Sequence, residues 1–266
     1  MTESEAIAAS PELVTVDSLV ALLRNCGIQP GDVLLVHSSL SAIGWVCGGP
    51  VAVIDALMRA VGATGTVAMP AYSAGLSDPA NWRNPPVPPS WHAEICATMP
   101  AFDPRRTPTL RMGAIAESFR TWPDVLRSNH PTSSMAAHGP QASFILERHP
   151  LDDPLGEQSP LGRLYELDAK VLLLGVGHDK NTSLHLAERK AFGARQPRTR
   201  TGAPVIVDWQ RQWVAYKEPT AETGDFNALG ADFEAVEGNV VRCGAARAMR
   251  QRALVDFAVP WLLRHR

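Results

Sequence analysis

Apolar positions change their period several times along this chain. In "LVTVDSLVALLRNC" (13–26) they recur at helical spacing after Asp17, which suits a helix cap, and Gly27 follows as a stop signal. "GDVLLVHSSL" then holds an unbroken apolar run, Val33 to Val36, the mark of a strand covered on both faces. The glycine-rich "SAIGWVCGGP" leads to Pro50, placed as a first-turn proline, with Val51, Ile54, Leu57, Met58 and Val61 on one helical face. "GTVAMP" is the next strand. Strand, loop, helix and strand in that order predict a parallel sheet with a right-handed crossover.

Residues 74–112 break the pattern. Pro79, Pro85, Pro86, Pro88, Pro89, Pro100, Pro104 and Pro108 crowd a stretch that also holds Trp82 and Trp91. Loops this long are functional or disordered, and the tryptophans favour an ordered flap over the sheet edge. A helix is expected from Gly113 to Phe119, and Gly139-Pro140 opens another. "KVLLLG" repeats the buried-strand signal. "AARAMRQRALVDFAVPWLLRHR" reads as amphipathic helix, interrupted or kinked at Pro260. There is no internal repeat and no low-complexity tract, so residues 1–266 read as one α/β domain with a mainly parallel central sheet and the flap at about 74–112.

With 45% hydrophobic and 20% charged residues, the composition is that of a soluble globular protein, long enough to bury a core without cross-links. Cys26, Cys47, Cys96 and Cys243 lie far apart with no C-x-x-C pairing, which suits reduced, incidental thiols. The N-terminus "MTESEAIAASPELVT" has no basic or apolar leader region, and no stretch nears the ~20 apolar residues of a membrane span. A cytoplasmic location without membrane contact is expected. The net charge of −2 is unevenly spread. Glu218, Glu222, Asp225, Asp232, Glu234 and Glu237 have no Lys or Arg among them, and Arg242, Arg247, Arg250, Arg252, Arg264 and Arg266 follow. These are either two faces paired with each other or an acidic wall for a polycation. Nucleic acid is disfavoured, because no basic stripe interleaves with aromatics.

The densest chemistry is in "LLLGVGHDKNTSLHLAERKA" (172–191). Lys170 to Leu174 is the strand, "GVGHD" the turn, and Asn181 or Thr182 the helix cap. His185 then falls in the first helical turn, and Glu188 shares its face three residues on. The partial positive charge of a helix N-terminus disfavours a protonated imidazole, so this position suits a general base. Location after a parallel strand adds weight, because open α/β sheets bind ligands there. His178, Asp179, His185 and Glu188 are also metal-ligand types, but their spacing is not a usual one and H-E-x-x-H is absent, so no metal is expected. "HSSLSAIG" stands at the equivalent end of the first strand, with small residues that leave backbone N–H groups accessible. Ser38 is not in G-x-S-x-G, so a nucleophile elbow is unsupported.

"LLVHSSLSAIG", "GTVAMPAYS", "FDPRRTPTLRMGAIAESFR", "HPTSSMAAHGP", "PLGEQSPLGRLYEL", "VLLLGVGHDKNTSLHLAE" and "QRALVDFAVPWL", in this order from about Leu19 to Leu263, resemble the aminoglycoside 3-N-acetyltransferase family of antibiotic acetyltransferases. The resemblance implies a layered α/β/α sandwich distinct from the GNAT fold. It implies transfer of acetyl from acetyl-CoA to the 3-amine of a 2-deoxystreptamine aminoglycoside, without a metal, by a monomer or homodimer. The family's essential histidine matches His185. Its assisting carboxylate matches Glu218, with Glu188 as the local rival. The coenzyme loop matches His37, Ser38, Ser39, Leu40 and Ser41, with Pro70, Thr107, Thr109, Met112 and Gly113 along the pantetheine arm. Asp78, Asp153, Glu157, Glu218 and Asp225 are the candidates for binding the polycationic acceptor.

This chemistry agrees with the residues. A thioester already carries a good leaving group, so what the protein must supply is a base for the amine, and a histidine oriented by a carboxylate is one. Three other readings stay open: an N-acetyltransferase for another amine, a noncatalytic coenzyme A binder, and a metal-dependent hydrolase.

Overall fold

The computed structural model describes residues 3–10 and 12–266; Met1, Thr2 and Pro11 of the polar N-terminal stretch lie outside them. After helix α1 (Glu3–Ala9), α2 (Val16–Asn25) leads into strand β1 (Val33–Ser38), the short α3 (Leu40–Ile43), α4 (Gly49–Val61) and β2 (Thr66–Pro70). The expected strand–loop–helix–strand unit is therefore present, and β1 and β2 are parallel. Thr15, not Asp17, caps α2. Its hydroxyl accepts from Ser18 N at 3.2 Å while Ser18 Oγ accepts from Thr15 N at 2.8 Å. Asp17 is already inside the first turn, where it faces Arg59 at 3.5 Å.

The middle of the chain supplies α5 (His92–Thr98), α6 (Gly113–Arg120), β3 (Leu126–Arg127), β4 (Met135–His138), α7 (Ala142–Leu146), α8 (Pro160–Glu166), β5 (Lys170–Leu174) and α9 (Ser183–Phe192). A hairpin, β6 (Arg198–Val207) and β7 (Gln210–Pro219), precedes α10 (Phe226–Glu234), β8 (Val240–Cys243), β9 (Ala246–Arg250) and α11 (Gln251–His265). The expected C-terminal helix is thus split. "ARAMR" is a strand, because Ala246 and Ala248 point into one core while the stretch pairs antiparallel with β5. Helix α11 begins after it and runs through Pro260 without ending there.

The main sheet has the order β3-β4-β2-β1-β5-β9-β8. Its centre, β2-β1-β5, is parallel, and antiparallel pairs flank it on both sides. Side-chain alternation sorts the strands into two cores. Leu35, Ala68, Val171 and Leu173 face α7 to α11, whose largest contributions are Leu184, Leu186, Phe226, Phe233 and Trp261. Leu34, Val36, Met69, Leu172 and Leu174 face α2, α4 and α6. Helices on both faces make three layers, and the unbroken apolar runs are explained, since every residue of β2 is buried and β5 is buried beyond its first residue.

Residues 71–112 leave the sheet. They contain α5 and three single-turn 3₁₀ segments, and they pack on the β6–β7 hairpin. Phe102 N donates to Pro204 O at 3.0 Å, and Asn81 Nδ2 donates to Arg200 O at 2.9 Å. Arg127 ties the two ends of this segment together: its guanidinium donates to Ala71 O and Ser73 Oγ at the start and to Thr107 O at the end. The hairpin itself turns at Asp208 and Trp209, whose φ of 48° and 63° give the two left-handed central positions of a type I′ turn. The four cysteines are free thiols.

Candidate active site

Strands β1 and β5 end side by side, with Ser38 opposite Leu174. The loops that follow therefore share one opening at the carboxyl edge of the sheet. Gly175 makes this possible. Its φ is 73°, and a Cβ there would sit 2.9 Å from Ala42 Cβ and 3.1 Å from Ser39 O, so only glycine lets the two loops meet.

Between them lies a cavity of about 1140 Å³. Its size exceeds the roughly 300–1,000 Å³ of ordinary small-ligand clefts and suits an elongated ligand. His37, Ser38, Ser39, Leu40, Ser41, Pro70, Met112 and Gly113 all line it, as does His185. Thr107 and Thr109 do not. The Thr107 hydroxyl accepts from Asp103 N at 2.9 Å, and Thr109 gives both its N–H and its hydroxyl to Glu117, so the two support the loop from behind. Tyr72, Trp45, Arg111, Gly175 to Gly177 and Asp179 to Thr182 also line the cavity and were not assigned to it from the sequence. The glycine-rich turn after β5 was the available signal for the last of these.

His185 enters from the third position of α9. Asn181 Oδ1 accepts from Ser183 N at 3.2 Å and caps the helix, while the Thr182 hydroxyl lies 3.4 Å from His37 Nε2. His185 Nδ1 donates to Glu188 Oε2 at 2.6 Å, which leaves Nε2 as the lone-pair nitrogen. Glu188 is completely buried. The imidazole also packs on Phe226 with ring centroids 5.0 Å apart. His37 is pushed down to about 3 by burial and by the neighbouring His185 and His178, so it is neutral at any working pH.

The second histidine of the constellation has a different partner. His178 Nε2 bonds Glu234 Oε1 at 2.9 Å, and burial lowers it to about 4. Gly230 gives its ring room, because a Cβ at that position would overlap it. No cluster of three or more metal-ligating side chains occurs among the described residues.

The acidic stretch and the basic tail largely pair with each other. Arg266 binds Asp225 through two nitrogens, Arg242 and Arg247 approach Glu234, and Trp261 Nε1 donates to Asp232 at 2.7 Å. Asp153 takes Arg189 at 3.1 Å and Glu157 takes Lys190 at 2.7 Å, and both acids line a second cavity of about 470 Å³ together with Asp152 and Arg198. Asp78 caps a 3₁₀ turn by accepting from Ala80 N. Glu218, on β7, is not the carboxylate bonded to His185. It faces Arg189 and Arg198, and burial raises its carboxyl against their pull.

Fold and site define an α/β acyltransferase outside the GNAT group. The chain belongs to the aminoglycoside 3-N-acetyltransferase family, whose family model matches residues 35–263. It is 46% identical over 253 residues to the SPbeta prophage-derived aminoglycoside N(3')-acetyltransferase-like protein YokD of Bacillus subtilis (strain 168), covering 94% of this chain and 92% of that one. The crystal structure of YokD superposes with a TM-score of 0.94 over 98% of both chains. Aminoglycoside N(3)-acetyltransferase VIII of Streptomyces fradiae is 39% identical over 278 residues, covering 98% and 96%. The structure described as AAC-IIIb binary with CoASH is 33% identical, with a TM-score of 0.82 over 95% of this chain and 97% of that one. Among the described residues no helix is long and apolar enough to cross a membrane.

Proposed function

We propose that this chain transfers acetyl from acetyl-CoA directly to the 3-amino group of a 2-deoxystreptamine aminoglycoside, with His185 as general base and Glu188 as its carboxylate partner. One observation carries the reading: the 2.6 Å bond from His185 Nδ1 to a buried carboxylate, made on the wall of a coenzyme-sized cavity. That cavity has an apolar side, Met69, Pro70, Met112 and Val176, suited to a pantetheine arm, and the cations Arg111 and Lys180 suited to phosphates. The structure described as AAC-IIIb binary with CoASH supports coenzyme binding by this fold.

The thioester supplies an activated acyl group. Every other requirement falls to side chains and backbone. His185 Nε2 removes a proton from the attacking amine, a contribution of typically ~10²–10⁴-fold. Glu188 holds the ring in the tautomer that leaves Nε2 free and faces the imidazolium as it forms. Leu40 and Ser41 open α3, where N–H groups have no carbonyl four residues back; they are the donors for the tetrahedral oxyanion. Glu218, with Asp153 and Glu157 at the second cavity, attracts the ammonium groups of the acceptor. Asp225, less exposed than Asp153 and Glu157 and held through two nitrogens of Arg266, drops out of that set.

A second reading is an acceptor amine with fewer charges, favoured by the ion pairs that already engage Asp153, Glu157 and Asp225. Thiol release from acetyl-CoA, measured with a panel of aminoglycosides and simple amines, separates the two. Release dependent on aminoglycosides supports the first reading, and release with simple amines only supports the second. Silence with every amine would remove both. Replacement of His185 by Ala should abolish turnover while coenzyme binding persists; retained turnover would overturn the general-base assignment.

A further inference from the structure

The carboxylate that bonds His185 has a second partner. Arg266 reaches back from the end of α11, and its Nη1 donates to Glu188 Oε1 at 2.5 Å. The same guanidinium donates from Nε to Asp225 Oδ2 at 2.7 Å and from Nη2 to Asp225 Oδ1 at 2.5 Å, and Nη2 also reaches Glu222 O at 3.2 Å. Its side chain is only 17% exposed. Phe226, next to Asp225, packs against the His185 ring on the same side, and the Arg266 guanidinium lies 5.8 Å from the Phe226 ring centroid. One chain of contacts thus runs Asp225–Arg266–Glu188–His185, with three helices contributing.

We infer that Arg266 is a positioning residue for the transfer reaction, acting through Glu188 on His185; the inference rests on His185 being the base. The two oxygens of Glu188 divide their work. Arg266 claims Oε1, so Oε2 has one orientation left, toward Nδ1. Glu188 has no exposure to water, and a buried carboxylate without a countercharge neutralises itself by taking a proton. Arg266 supplies that countercharge in a bonded geometry. Arg189 also faces Glu188, but its bonds go to Asp153 and Pro219 O. His37 faces His185 and is neutral. Asp225 and Glu222 face Arg266, and His265 lies near Asp225. Arg266 is therefore the one cation hydrogen-bonded to Glu188 among the described residues.

Removing it moves the system in one direction by either of two routes. If Glu188 takes a proton, it no longer accepts from Nδ1. If it stays charged, it holds a proton on His185 more strongly. Both leave less of the free base at a given pH, so the acid limb of kcat/KM shifts upward.

The test uses Arg266→Ala and Asp225→Asn in the full chain. For Arg266→Ala the expected result is a loss of about 10–100-fold in kcat at neutral pH, taking over the range known for outer partners of metal-bound histidines. The KM for acetyl-CoA stays within about threefold, the acid limb moves to higher pH, and added guanidinium ion partly restores turnover. Asp225→Asn moves the limb slightly the other way, because Arg266 keeps Glu188 and loses the acid that offsets its charge. Histidine ¹⁵N shifts report the His185 tautomer independently of turnover: Nδ1–H dominates in the parent and a mixture appears in Arg266→Ala. An unchanged tautomer and limb in a folded Arg266→Ala protein, or an equal loss at every pH without guanidinium rescue, overturns the inference. Turnover retained by His185→Ala alongside a changed tautomer overturns the base assignment instead, so the two failures are distinct.

Discussion

Mild acid should unfold this protein, and the reason lies in four histidines. His37, His130, His149 and His178 are held neutral chiefly by burial, which pushes them down to about 3, 4, 3 and 4. The His130 and His149 rings meet at a tilt with centroids 4.6 Å apart, and His149 is pinned between the Ser128 hydroxyl and Pro154 O. In the unfolded chain each titrates near 6.5. Below about pH 6.5 the unfolded chain therefore binds protons that the folded one refuses. Stability falls as pH falls, and the loss continues until the folded values near 3–4. Each histidine removes about 1.4 kcal/mol per pH unit within that window, and the four together about 5.6 kcal/mol per unit. Against a total stability of about 5–15 kcal/mol, unfolding arrives about one to three units below 6.5. Asp153 and Glu218, raised by burial, act the opposite way, because the folded chain keeps a proton that the unfolded one has released, and they trim the slope. Denaturant unfolding followed by tryptophan fluorescence from pH 7.5 to 4.5 gives the stability at each pH. Its slope near pH 5 should correspond to uptake of about three protons on unfolding, and His149→Gln should remove about one of them. An uptake below about one proton would refute the argument.

Two further outcomes are expected. Glu188→Gln removes the charge that faces the imidazolium; hydrogen bonds to charged groups are worth about 1.5–3 kcal/mol, so kcat should fall about 10–150-fold, and a loss under about threefold in a folded variant would count against the assigned role. Gly230→Ala forces a methyl into the His178 ring and should cost about 1–3 kcal/mol by overpacking, seen as a lower Tm with the His178–Glu234 contact displaced; an unchanged Tm would show that α10 can shift freely.

The parts of the fold legible in the sequence are those where one local signal meets one structural outcome. The runs in β1, β2 and β5 are unbroken because both faces are covered, and the i,i+3 spacing of His185 and Glu188 survives as a 2.6 Å bond. Strands β4 and β9 escaped notice because alanines dominate them; alanine has little strand preference, and pairing with β2 and β5 decides their conformation. The β6–β7 hairpin was hidden by its polar outer positions and by Gly202 and Pro204, although Asp208 at a two-residue turn was a usable sign. Thr107 and Thr109 follow the family pattern in position, but position does not say which way a side chain points. The acidic run at 218–237 shows the limit of counting charge. Its sum left two readings, faces paired with each other or a wall for a polycation, and the arginines that follow in sequence engage Glu222, Asp225 and Glu234.

The hairpin has a consequence for how this enzyme can change. The coenzyme-sized cavity is walled by the loops that run straight out of the buried strands β1, β2 and β5, together with the end of the proline-rich segment. Glu218 sits on the β6–β7 hairpin, which, like the proline-rich segment packed on it, does not belong to the main sheet. In the proposed arrangement donor recognition is tied to the sheet, and acceptor recognition rests on a hairpin outside it. A lineage can exchange the hairpin's residues, from Arg198 at its base to the fully exposed Trp209 at its tip, and try new amines while its acetyl donor stays the same.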